Sequence, residues 1–124
     1  MTGFDGEAFI HRFNTVWDAH DLDGIADMFT DDVIFEASFG AHPYGERATG
    51  RDAAKKLAAA VFEAVPDLRF REIRHIITPD LAVVESVTTG TPVGGKPYET
   101  HIVDVLTIRD GRIAAKRSYR KARL

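Results

Sequence analysis

Apolar side chains recur at helical spacing through much of the first half of the chain and alternate along most of the second, which predicts helices followed by strands. Phe9, Ile10, Phe13, Val16, Trp17 and His20 fall on one face of a first helix, with Thr2 and Asp5 placed to cap its first turn. A second, short helix is expected from Leu22 to about Phe29, with Asp21 as N-cap and Leu22, Ile25, Met28 and Phe29 as its apolar stripe. The third carries Ala54, Leu57, Ala58, Val61, Phe62 and Val65 on one face. Thr49 and Asp52 there have the spacing of a capping box, and Pro66 ends the helix.

One strand, residues 33–38, is predicted between the second and third helices, and four more at residues 68–78, 81–91, 98–109 and 112–119. Short connections join the last four: Pro79-Asp80, residues 92–97 with Gly94 and Gly95, and Asp110-Gly111, a pair that favours a two-residue hairpin. Strands joined so tightly must be antiparallel neighbours. Between Phe70 and Ile73 the apolar phase slips, which predicts a bulge and hence a bent sheet. The expectation is an α+β fold: a curved antiparallel sheet wrapped on three N-terminal helices, with a pocket between the layers and residues 40–50 as a loop over its mouth.

A chain of 124 residues is long enough for one core, so residues 1–124 read as one domain. The net charge of −3 gives no reason to expect a nucleic-acid or membrane partner. Cysteine is absent, which excludes disulfides, thiolate metal sites and cysteine nucleophiles. There is no signal-type apolar core and no run of about 18 apolar residues, so the expected location is cytoplasmic. The histidines lack metal-binding spacing and no phosphate loop, nucleophile elbow or dinucleotide motif occurs, so neither a metal nor a cofactor is expected. His11, His20 and His75 read as surface or helix-end residues. Lys116, Arg117, Arg120, Lys121 and Arg123 form a basic tail best read as a solvated strand end.

Asp104 carries the chemistry. Strand alternation puts it on one face with Ile102, Leu106 and Ile108, where burying a carboxylate costs several kcal/mol unless it is paired. A carboxylic acid kept neutral in such a pocket can exchange a proton near neutral pH. Lys116 and Ser118 share the inner face of the last strand by the same alternation, and a Lys beside Asp104 would instead make a carboxylate base or a structural ion pair. Three residues away, His101 falls on the opposite face and could reach Asp104 only through a bulge. Tyr44, beside His42 in the loop, could orient a ligand or pack over an edge.

Residues 18–36 (DAHDLDGIADMFTDDVIFE), 66–70 (PDLRF), 103–113 (VDVLTIRDGRI) and 117–119 (RSY) resemble the SnoaL-like polyketide cyclases and ketosteroid isomerases of the nuclear transport factor 2-like superfamily. The resemblance spans almost the whole chain and implies a cone-shaped fold. It places Asp104 where the isomerases carry the protonated Asp of their oxyanion hole, an enzyme that is a standard case of a neutral buried acid. The isomerases' general-base Asp corresponds to Ala37, their oxyanion-hole Tyr to Phe13, and the cyclases' acid on the last strand to Ser118. Steroid isomerisation by that three-group mechanism therefore lacks two of its groups here.

Helical spacing and strand parity group Phe13, Trp17, Phe35, Ala37, Leu57, Val61, Ile102, Asp104 and Leu106 around one cavity. Two function classes follow. One is a cofactor-free isomerase or cyclase moving a proton on an apolar, cyclic or polyketide-like ketone, with Asp104 catalytic; the other is a non-catalytic ligand-binding or dimerisation module. Val83, Val87, Val103 and Val105 on the outer sheet face predict a two-fold homodimer through the sheet.

Overall fold

The computed structural model describes residues 3–122. Helices α1 (Gly6–Asp18), α2 (Leu22–Asp27) and α3 (Arg51–Ala64) pack on a curved six-stranded sheet. Its strands are β1 (Phe29–Glu36), β2 (Arg47–Thr49), β3 (Arg69–Ile77), β4 (Leu81–Gly90), β5 (Tyr98–Arg109) and β6 (Arg112–Arg120), in spatial order β2-β1-β6-β5-β4-β3. From β3 to β6 each strand pairs antiparallel with the next, as their short connections dictate. The β5–β6 turn has φ 52° at Asp110 and φ 75° at Gly111, the left-handed pair that a two-residue hairpin needs. The β3 bulge falls between Glu72 and Arg74.

Two parts of the sheet differ from the sequence expectation. β1 lies parallel to β6, because no hairpin joins these strands and nothing local constrains their direction. Residues 47–49, expected within a loop, form β2 against β1. The chain turns back there, with Glu46 N donating to Phe39 O at 2.7 Å and Ala37 N to Glu46 O at 2.8 Å.

Caps explain the helix starts. Asp5 accepts from Ala8 N and Asp21 from Gly24 N, each at 3.0 Å, while Thr2 lies outside the described residues. α3 begins on Gly50 at φ 93° without a side-chain cap: Thr49 is committed to pairing with Ile34, so the expected Thr49–Asp52 box does not form. Phe29, expected to end α2, opens β1 opposite Ile113 and is fully buried.

Trp17 organises the layer between helices and sheet, its ring centroid lying 5.7–6.4 Å from those of Phe35, Phe62, Phe13 and Phe70. Each such pair contributes about 0.5–1.5 kcal/mol beyond burial. Asp18 sits in the last turn of α1, where the helix dipole disfavours a carboxylate. Arg69 offsets this with bonds of 2.9 and 2.8 Å and Phe70 N adds one of 3.0 Å, tying α1 to β3. These bonds, that from Arg69 foremost, hold the Asp18 carboxyl below its ordinary value of 3.8. No helix among the described residues is long and apolar enough to cross a membrane.

Candidate functional site

β6 carries Lys116 and Ser118 two residues apart and therefore on one face. Strand pairing sets Ser118 opposite Asp104 and Lys116 opposite Leu106 on β5. All three polar side chains are buried, and they satisfy one another. Ser118 Oγ donates to Asp104 Oδ1 at 2.6 Å; Lys116 Nζ donates to Ser118 Oγ at 2.8 Å and to Asp104 Oδ1 at 3.2 Å. Lys116 Nζ also sits 4.3 Å from the Trp17 ring centroid and 4.7 Å from that of Phe35. Two aromatic faces and a carboxylate make this the environment of an ammonium ion, whose charge they replace water in stabilising. No acceptor among the described residues takes the third Nζ hydrogen.

Beside this cluster lies a cavity of about 240 Å³. Trp17, Phe35, Ala37, Val61 and Ile102 line it as the sequence suggests, and Lys116 and Ser118 form its polar wall. Phe39, Val65, Leu68, Phe70, Thr88, Tyr98 and Arg120, not expected at the cavity from sequence, are also among its lining. Parity could have found Tyr98, which shares its face with Ile102, and Arg120, which shares its face with Ser118.

Four expected lining residues lie elsewhere. Asp104 and Phe13 border a separate void of about 10 Å³ with Asn14, Trp17, Phe70, Ser86 and Lys116; Trp17, Phe70 and Lys116 line both this void and the cavity. Leu106 is fully buried in the core, one pair of residues further along β5. Leu57 packs half-buried against the core: Ala54, Ala58 and Phe62 are the buried face of α3, and the turn nearer Val61 and Val65 meets the cavity.

Tyr44 lines an adjoining open cleft, stacked on His42 at 5.1 Å with the Arg47 guanidinium 3.6 Å from its ring centroid. His101 is exposed on the sheet face opposite Asp104. His20, at the end of α1, is half-buried, stacked on Phe62 at 4.0 Å with Nε2 2.6 Å from Leu68 O. His75 lies 3.0 Å from Glu7 and 2.9 Å from Glu72, and the hydrogen bonds to Glu7 and Glu72 raise its proton affinity above the ordinary value of 6.5. Among the described residues no group of three His, Asp or Glu side chains is arranged to hold a metal ion.

Solved structures of similar shape share this architecture. An NTF2-like protein of unknown function from Burkholderia pseudomallei superposes with a TM-score of 0.81 at 20% identity, covering 93% of this chain and 89% of its own. An NTF2-like protein of unknown function from Mesorhizobium loti does so at 0.76 and 25% identity, covering 94% and 90%. A proposed polyketide cyclase from Streptomyces antibioticus gives 0.73 at 20% identity, covering 93% and 91%. No curated protein matches the chain in sequence. Residues 10–116 match the profile of the SnoaL-like domain, and across that span, from α1 to the lysine of the buried cluster, the chain belongs to the SnoaL-like family.

Proposed function

We propose that this protein binds an apolar cyclic or polyketide-like ketone in the cavity and promotes proton transfer on it without a cofactor, as an isomerase- or cyclase-type enzyme. What supports the reading is Lys116 and Ser118 in the wall of a largely apolar cavity, with Asp104 bonded to both from behind that wall. A ketone oxygen placed there would meet the Lys116 ammonium as donor, through the Nζ hydrogen that no acceptor among the described residues takes, while the Ser118 hydrogen is already given to Asp104. Such a donor stabilises the negative charge that grows as an α-proton leaves. Asp104 orients Lys116 and Ser118, and Ser118 is the route by which its carboxylate would exchange a proton with substrate.

One observation favours the non-catalytic ligand-binding reading: Asp104 is paired and lies behind the cavity wall. A panel of aromatic and polycyclic ketones separates the two, with binding read from Trp17, the single tryptophan, and chemistry read as loss of deuterium from the α-carbon. We expect exchange by the wild type and a fall of roughly 10²–10⁴-fold in Ser118→Ala and Asp104→Asn. Binding without exchange would leave the non-catalytic module, and no binding would remove both.

We also infer a two-fold homodimer through the outer sheet face. There Ile76 pairs with Val83, Val83 with Val105, and Val103 with Tyr119, forming an apolar band. Of the four valines expected to be exposed, Val83, Val103 and Val105 are half-buried and Val87 is buried, flanked in register by the longer Arg71 and His101. Ile76 at 70% and Tyr119 at 58% exposure are the open apolar surface of that band.

A further inference from the structure

The apolar cavity adjoins an open cleft of about 640 Å³, and the two share Ala37, Ser38, Phe39, Ser118 and Arg120 as lining. Their chemistry is opposite. The cleft holds three guanidinium groups, Arg47, Arg117 and Arg120, against one carboxylate, Glu36. The chain as a whole carries a net charge of −3, so this local excess of positive charge is not a by-product of composition. Glu36 is engaged by Arg47 at 2.7 Å and Arg117 at 3.4 Å. Arg120 has no carboxylate within ion-pair distance among the described residues; its guanidinium lies 5.0 Å from the ring centroid of Tyr98, itself a cavity residue.

We propose that the ligand is an amphipathic anion, its apolar ketone body in the cavity and a carboxylate held by Arg120 at the mouth. The proposal rests on reading the cavity as the ligand site. Among the described residues Arg120 is the guanidinium of the cleft that a carboxylate can engage without breaking an existing ion pair, and a guanidinium offers two parallel N–H donors to both carboxylate oxygens. Arg47 and Arg117 add an attractive field around the same cleft.

Strand geometry then orients the ligand. Lys116, Ser118 and Arg120 alternate onto one face of β6, so the anion site and the Lys116 ammonium lie at opposite ends of a row roughly 13 Å long at the backbone. A molecule anchored by Arg120 is thereby directed to present its far end, and a carbonyl there, to Lys116 and Ser118.

The test compares fluorenone carboxylate with its methyl ester, reading binding from Trp17 fluorescence in wild type, Arg120→Gln and Arg47→Gln. In wild type the carboxylate should bind several-fold to about tenfold more tightly than the ester, and the advantage should shrink as salt is raised. Arg120→Gln should equalise the two probes. Equal binding of both probes to wild type would overturn the anion site and leave the cavity reading intact. Loss of the preference in Arg47→Gln but not in Arg120→Gln would overturn the assignment to Arg120. Failure of both probes to bind would overturn the cavity reading, and the anion site with it.

Discussion

Ser118 Oγ donates to Asp104 Oδ1 across 2.6 Å, from residues paired in register on β6 and β5. Ser118 thus joins the cavity wall to a carboxylate that does not itself line the cavity. With Lys116 on the same oxygen, the charge of Asp104 is matched inside the fold.

That pairing predicts a stability effect. Asp104→Asn leaves the buried Lys116 ammonium without a counter-charge, and unfolding free energy should fall by about 3–5 kcal/mol. Adding Lys116→Met removes the orphaned charge, while the new amide can still bond Ser118, so most of the loss should return. Denaturant titration of the single and double variants checks this. A double variant no more stable than Asp104→Asn would show that the ion pair is not the source of the loss.

His75 gives a pH dependence whose sign is set by its raised proton affinity. The proton is held by Glu7 from α1 and Glu72 from β3, and Glu72 also accepts from Asn14. This stabilisation is fully present below pH 6.5, the ordinary value, and is lost as pH rises through the higher folded value. Because Glu7 is exposed, the contribution should stay below about 1 kcal/mol. Melting temperature followed from pH 6 to pH 8 should decline more in wild type than in His75→Gln; parallel curves would refute the assignment.

Enlarging Val61 tests whether the cavity is the binding site. Val61 is half-buried on α3 and faces the cavity of about 240 Å³, so Val61→Phe fills space rather than creating strain. Melting temperature should change little and ketone binding should weaken at least tenfold, equivalent to about 1.4 kcal/mol. Unchanged affinity would place the ligand elsewhere.

Assembly is checked by sedimentation. A stable sheet-to-sheet dimer needs about 1,200–2,000 Å² of buried surface, and a charge buried within it should disrupt it. Ile76→Glu alters a side chain that is 70% exposed in the protomer, so the fold should persist while the dimer separates. Wild type sedimenting as a monomer at micromolar concentration would count against the interface.

The sequence by itself determined the three helices, the four long C-terminal strands and the faces that they present. Asp5 and Asp21 begin their helices where a side-chain oxygen can take up a free backbone N–H, Asp110-Gly111 turns where two positive φ values are needed, and alternation puts Asp104, Ile102 and Leu106 on one face. All of these follow from interactions within a few residues. Tertiary structure decided what lies opposite each face. It set β1 parallel to β6, drew Thr49 into pairing with Ile34, placed the Trp17 ring against Lys116, and left Asp104 behind the wall that Lys116 and Ser118 form. Periodicity assigns a side chain to a face but not to a neighbour. Neighbours depend on strand register and on which helix crosses above, and those are settled by contacts between residues far apart in the chain.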